Sequence, residues 1–506
     1  MIMVNRIHNS AAPFEGTMPL ESSDSKSITT IALEVLPSGP ESSGPSRQGS
    51  ALGLTESDST EFNGFSLPPV DEGFGAWTFL GSAFIVESLT WGIPDTYGVF
   101  LQRYLQDEKF MSQPHAGTLL PLIGTLASGI MYCTGPIVYP YTARYPSHRL
   151  IALWVGIAMC VSALIGASFT SDVRILIALQ GVLYGIGASL LYAPCISFMA
   201  EWFVARRGLA NGIIFCGTAV GGLVLPIVEP RLISAYGTSS TLRILGVAMA
   251  VVLVPLLPFL KGRLPNIKQT HGPTPRSNKS IFGFGFAMLM GVNTVQSLAY
   301  FVPLVWLPTF ASELNVSSSK SSLVLSVLNT ASLFSRLTLG YLSDKTDSWF
   351  LAFASTFSSC IVVFLLWGVA SSTLGGLIAF GLIFGFCGCG WACLWTGLMR
   401  DLTKDDHLLA ISMFGYLNFS RGIGSIVSTP IATAFQHGHS LVETTRAKVG
   451  FDVGGGRFRE VIIYTGLCFA AGSIMTLYGW VFGFEGKPFT AKKGFLKVWK
   501  LQNPMA

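Results

Sequence analysis

From Gly73 onward the chain returns repeatedly to apolar stretches of about 20 residues, the length at which a helix crosses a hydrocarbon core of about 30 Å. Twelve such stretches can be counted, at 75–101, 116–140, 149–170, 174–200, 208–229, 241–260, 281–310, 320–341, 349–370, 373–398, 408–432 and 460–484. Lipid offers no hydrogen bonds, so a spanning segment must satisfy its own backbone, and segments this long do so as helices. The expected fold is an all-α polytopic membrane protein with twelve transmembrane helices.

Composition agrees. Charged residues make up 12% of the 506, about half the ~25% of an ordinary soluble domain. That excludes a soluble enzyme and an ordinary nucleic-acid-binding protein, and the spread of apolar stretches excludes a single anchor. Membrane lipid is the expected partner and nucleic acid is not. The net charge of +5 follows from topology, because Lys and Arg gather in cytoplasmic loops. With the amino terminus inside, the inner segments carry seventeen Lys and Arg and the outer loops ten, the amino-terminal tail excluded. Both termini are therefore expected in the cytoplasm, and the plasma membrane is the expected location. The nine cysteines are an odd number and most sit in apolar runs, which is not a disulfide framework. Cys387, Cys389 and Cys393 have no His or carboxylate near them in sequence and read as helix packing, so no metal is expected.

Residues 1–70 are different material. Ser, Pro, Gly and Glu dominate from Glu21 to Ser59, and such a tract cannot bury enough surface to offset its ordering entropy. It is expected to be a disordered cytoplasmic tail. The first thirty residues hold no apolar core of a cleavable signal peptide, which leaves targeting to the first span.

The remaining chain reads as two six-helix halves, 71–260 and 281–484, joined by a Pro- and Lys-rich cytoplasmic linker at 261–280 and followed by a tail at 485–506. Gly73-Phe74-Gly75 answers to Gly283-Phe284-Gly285, and Val86-Glu87-Ser88-Leu89 to Val295-Gln296-Ser297-Leu298. Gly135 answers to Gly340, Tyr184-Gly185 to Phe384-Gly385, and Leu209-Ala210 to Leu409-Ala410. Each match is weak alone, but their common order implies duplication. Two parallel six-helix repeats with a site between them near the midplane are the architecture of major facilitator transporters.

Particular motifs sharpen the resemblance. Asp71-Glu72-Gly73-Phe74-Gly75-Ala76-Trp77 resembles the opening of the monocarboxylate porter family, and the stretch from Trp202 to Gly212, ending at Gly217, resembles that family's second signature. Gly340-Tyr341-Leu342-Ser343-Asp344-Lys345 resembles the general major facilitator loop motif, and the overall texture is similar to the fungal branch. There are departures. Asp95 stands where lactate porters carry lysine, Ser332 where they carry an acid one turn before Arg336, and the loop after span two has Tyr139, Arg144 and Arg149 in place of the expected acid. The resemblance implies a transporter and leaves its cargo open among carboxylates, vitamin-like molecules and secondary metabolites. It also implies that Asp344, with Gly340 allowing close helix approach, and the pair Arg206 and Arg207 latch the inner mouth; for the arginines, orientation by positive charge alone is the other reading.

Ionisable groups at membrane depth need a partner or a wet cavity. Four stand out: Glu87, Asp95, Arg336 and Arg421. Arg336, with Asn329 seven residues before it on nearly the same face, either binds an anionic or polar cargo group or forms an interior ion pair with Glu87 or Asp95. Glu87 and Asp95 are candidates for coupling to a co-transported proton, and a solvated lip is the other reading of Asp95. Asn293, Gln296, Tyr300, Trp391 and Trp395 are candidates for shaping the cargo site, with plain helix packing the other reading of the two tryptophans. Asn315 opens a glycosylation sequon in the loop after span seven.

Nothing matches a nucleotide loop, a zincin helix or a nucleophile elbow, so no cofactor and no enzyme are expected. The expected function is a secondary active or facilitative transporter of a small organic metabolite working by alternating access; the oligomeric state is left open, a monomer being sufficient for it. An efflux carrier for a biosynthetic product and a non-transporting nutrient sensor on the same fold are the alternatives.

Overall fold

The computed structural model describes residues 67–264, 283–314, 318–403, 406–436 and 448–482. Asn315, residues 1–66, residues 265–282 and the stretch from 483 onward lie outside the described residues. Every regular element among those described is helical.

Eight helices there are long and apolar enough to cross a membrane by themselves, and nine if one bent pair counts as a span. The remaining crossings have local causes. Arg207–Phe259 is 53 residues long, but Gly237 interrupts it with φ 79° and ψ 167°, a left-handed conformation that glycine adopts without steric penalty. The fifth and sixth spans meet there. Gly73–Asp95 and His407–Gln436, the first and eleventh spans, are less apolar, because Glu87 in one and Asn418 and Arg421 in the other stand among Gly, Ser and Thr. Each of the twelve expected segments therefore coincides with a helical stretch.

Two expectations need adjusting. The first span stops at Asp95, because Thr96 leaves the helical region at φ −97° and ψ 3°; a separate helix, Tyr97–Gln106, takes the rest of the expected 75–101. The second span is two helices, Leu122–Cys133 and Gly135–Arg144, bent by 43° where Pro136 interrupts the backbone ladder.

The surface reverses the pattern of a water-soluble protein. Phe74, Ile137, Val251, Phe357, Leu467 and Ile474 are exposed, while Glu87, Glu229, Asn293, Gln296 and Arg421 are buried. Hydrocarbon against the outer face makes exposed apolar side chains costless, so helix association rests on close packing and internal polar contacts. Small residues supply the first. A Cβ on Gly221 of the fifth span would stand 3.0 Å from the Gly92 Cα of the first, and one on Gly424 of the eleventh would stand 3.0 Å from the Leu298 nitrogen of the seventh (Phe284–Glu313). The same pairing thus recurs in both halves.

Candidate functional site

A cavity of about 420 Å³ lies between the halves. Its mouth is formed by Asp95, Gly98, Leu101, Pro121 and Thr125, most of them exposed. One wall carries Glu87, Tyr132, Tyr192, Phe215 and Thr218; the other carries Tyr300, Phe301, Asn329, Arg336, Trp395 and Arg421. The acids therefore lie on the amino-terminal half and the bases on the carboxy-terminal half.

Glu87, Arg421 and Arg336 are each held by a neighbouring helix. Glu87 is buried, accepts a 2.5 Å hydrogen bond from the Thr218 hydroxyl and keeps its Oε2 without a partner. Its repeat mate Gln296 accepts instead from Arg421, at 3.3 Å. The Arg421 guanidinium lies over the rings of Tyr300 and Phe301, 4.6 and 5.2 Å from their centroids, an arrangement that desolvation strengthens. Arg336, on the eighth span (Ser318–Lys345), donates to the Phe215 carbonyl of the fifth, and Asn329 donates to the Gly222 carbonyl at 3.3 Å. Among the described residues neither arginine is in an ion pair with a carboxylate. The interior ion pair between Arg336 and Glu87 or Asp95 is therefore not formed here. The guanidinium takes a carbonyl across the half interface, and its donors face a cavity shared with both acids.

Three expected site residues stand behind the cavity wall. Asn293 is fully buried and entirely consumed: its amide donates to the Leu417 carbonyl and the Ser420 hydroxyl, and its oxygen accepts from the indoles of Trp391 at 2.7 Å and Trp395 at 3.1 Å. Asn293 and Trp391 form no part of the lining, nor does Gln296, whose oxygen positions Arg421. They build the wall, and Trp395 alone of this knot reaches the cavity. Sequence reasoning placed these polar groups on the correct helices, but which atoms neighbours consume is a tertiary fact. It also passed over Tyr132, Tyr192, Phe215 and Thr218, which no motif marks.

The end opposite the mouth is shut. Phe414 of the eleventh span packs against Tyr139, Trp395 and Phe215, with centroids 5.5, 5.3 and 6.5 Å apart. Beneath this aromatic floor is a smaller space of about 60 Å³ lined by Phe414, Arg207, Thr396, Arg400 and Ala410 among others. Further down, the helices touch at glycines: a Cβ on Gly340 would sit 2.7 Å from the Gly208 oxygen, and Gly135 is pressed against Gly415. Asp344 completes the closure. Its carboxylate accepts from the backbone nitrogens of Gly208 at 2.7 Å and Leu209 at 2.8 Å, the unsatisfied donors and positive dipole end of the fifth span. Asp71, the acid of the opening motif, accepts from the nitrogens of Val204, Ala205 and Arg206 just before them.

The arginines at this end act differently from expectation. The Arg207 guanidinium donates to the Phe203 and Ala200 carbonyls of its own half, and Arg206 is exposed and contributes its backbone nitrogen. Among the described residues neither side chain makes a hydrogen bond or ion pair to the other half. The cation beside Asp344 is Arg400, at 3.8 Å and half exposed, a contact of small worth.

Helices in two parallel repeats, a polar hollow open at one end and a glycine-packed, carboxylate-latched closure at the other define a membrane carrier of the alternating-access class. Comparison with known proteins agrees. The chain belongs to the Major Facilitator Superfamily, which it matches over residues 74–429. It is similar to MFS-type transporter 1 of Ophiocordyceps sp. (strain BCC 1869), 28% identical with 80% of this chain and 85% of that protein covered. It is also similar to the Fujikurins efflux protein of Gibberella fujikuroi, 28% identical over 69% of this chain and 74% of that protein, and to MFS-type transporter pynF of Aspergillus niger, 25% identical over 73% and 83%. Among solved structures, the proton:xylose symporter XylE bound to 6-bromo-6-deoxy-D-glucose superposes with a TM-score of 0.60 at 14% identity, covering 82% of this chain and 97% of that one; this likeness concerns the fold. The protein is a multi-pass membrane transporter.

Proposed function

We propose that this transporter exports a small amphipathic organic acid, a product of secondary metabolism, across the plasma membrane, and that it lies in the monocarboxylate-porter-like branch of its superfamily. The observation that carries the cargo class is the pair of guanidiniums, Arg336 and Arg421, lining an aromatic cavity with no carboxylate among the described residues bonded to either. A guanidinium presents a planar fork of donors that fits a carboxylate, and Tyr300, Phe301 and Trp395 offer apolar faces to the rest of such a molecule. The efflux protein among the relatives supports the direction.

In this reading the halves are 71–260 and 281–484, hinged through 261–280, with both termini cytoplasmic and the Asp344 end facing the cytoplasm. The cavity then opens outward. Glu87, buried with one free oxygen, is the site of a co-transported proton, and Asp95 at the mouth admits it. Arg336, Asn329, Tyr300 and Trp395 contact cargo; Asp344 and Gly340 gate. The test is an untargeted comparison of metabolites inside and outside cells with and without the chain. An acid that accumulates inside when the chain is removed supports the reading. Neutral or basic molecules alone changing sides, or the acid being retained equally by cells with and without the chain, would refute it.

A further inference from the structure

One buried carboxylate has no part in the cargo site. Glu229, near the mouth end of the fifth span, is fully buried and lies outside the cavity lining. The Thr96 hydroxyl donates to its Oε1 at 3.0 Å, and its Oε2 has no partner. Thr96 is the residue at which the first span breaks, and it does line the cavity. Its hydroxyl also lies 2.9 Å from the Gly92 carbonyl. With one proton to give, it can serve the carboxylate or the carbonyl fully, but not both.

The charged and titratable groups around Glu229 are otherwise committed. Tyr97 donates to the Leu120 carbonyl, Tyr104 accepts from Gln180, and Arg103 is exposed. Tyr184 donates to the Leu89 and Thr90 carbonyls, while the Cys160 thiol faces the Tyr184 carbonyl. Arg243 donates to Ser168 and lies over Phe169. Arg336 donates to Phe215, and Glu87 and Asp95 face the cavity. Arg231, two residues on, is exposed and about 200° round the helix. No cation among the described residues pairs with Glu229. Charge on a group so placed is costly unless a proton neutralises it.

We propose that Glu229 is a proton-binding site separate from the cargo cavity, and that its titration fastens or frees the Tyr97–Gln106 helix at the cavity mouth. Ionised, Glu229 holds the Thr96 hydroxyl and ties the break of the first span to the fifth. When Oε2 takes a proton from water, the carboxylate charge is cancelled, the hydroxyl goes to Gly92, and the following helix, whose Leu101 borders the mouth, is released. The movement gains its transport meaning from the function proposed above; the proton binding does not depend on it and is measured without cargo.

The experiment uses the full chain reconstituted in phosphatidylcholine vesicles. Infrared difference spectra across a pH titration report protonated-carboxyl C=O bands, and an environment-sensitive fluorophore on Arg103→Cys, an exposed position, reports the helix. Glu229→Gln is expected to delete one titrating carboxyl band and abolish the fluorescence step. Thr96→Val is expected to keep the band and lose the step. The spectra of the unsubstituted chain already bear on the claim, since absence of any titrating protonated-carboxyl band overturns it. So does Glu229→Gln, folded by its unchanged elution and melting, if every band or the fluorescence step survives.

Discussion

Replacing Asp344 with asparagine removes the charge from the contact at the closed end of the cavity while keeping its shape. The carboxylate bonds two backbone nitrogens at 2.7 and 2.8 Å at the start of a helix. Hydrogen bonds to a charged group contribute about 1.5–3 kcal/mol each, and a carboxylate at a helix N-terminus about 0.3–1 kcal/mol more. Asparagine retains one acceptor oxygen, so one bond and the dipole contribution are lost. Because the site is partly exposed, the lower end of these ranges applies, about 2 kcal/mol, or a shift of about thirtyfold in the ratio of the closed to the open form of this end. Spin labels on Arg144→Cys and Phe350→Cys, exposed positions on opposite halves at this end, read that ratio as a distance distribution. Asp344→Asn should enlarge the long-distance population by about that factor, and Asp344→Ala by more. A distribution that moves by less than twofold in both variants would refute the latch, because the two bonds would then contribute nothing to the choice of state.

Other outcomes follow from the same contacts. Phe414→Ala should join the 420 and 60 Å³ spaces and let a small thiol reagent added at the mouth modify a cysteine placed at Thr396; without the substitution that cysteine stays protected. Asn293→Leu leaves the indoles of Trp391 and Trp395 without their acceptor, at about 1–3 kcal/mol each, and should lower the melting temperature in detergent and blunt cargo affinity through Trp395. Arg149→Ala strands Glu201 and frees the Thr142 and Ala143 carbonyls; loss of one member of a buried pair costs about 3–5 kcal/mol, and thermal unfolding should show it, with Arg149→Ala plus Glu201→Ala partly restoring stability.

The twelve spans were legible because hydrocarbon thickness fixes a length and apolar composition marks it. Their duplication was legible in paired landmarks such as Glu87 and Gln296. The break at Thr96 was not, because Pro94 sits inside a helix that tolerates it and the turn comes two residues later. Nor was the fate of Asn293, where a polar residue on an interior face reads the same whether it meets cargo or two tryptophans. The closed end was half legible: Gly340 and Asp344 came from a motif, but Gly340 packs on Gly208 and Asp344 takes the backbone nitrogens of Gly208 and Leu209, which no side-chain pattern encodes, and the neighbouring arginines bond within their own half. Glu229 carried no motif at all. Its meaning comes from burial and from a single hydroxyl on a different helix.

The central claim is that this cavity moves an organic acid held by its guanidiniums. Flux of the acid identified by metabolite comparison, through proteoliposomes loaded with it, tests that directly, with Arg336→Ala and Arg336→Lys alongside the unsubstituted chain. Release should depend on the protein, fall at least about tenfold with Arg336→Ala, the equivalent of one charged hydrogen bond, and recover in part with Arg336→Lys. Protein-dependent release that is the same in all three would contradict the account.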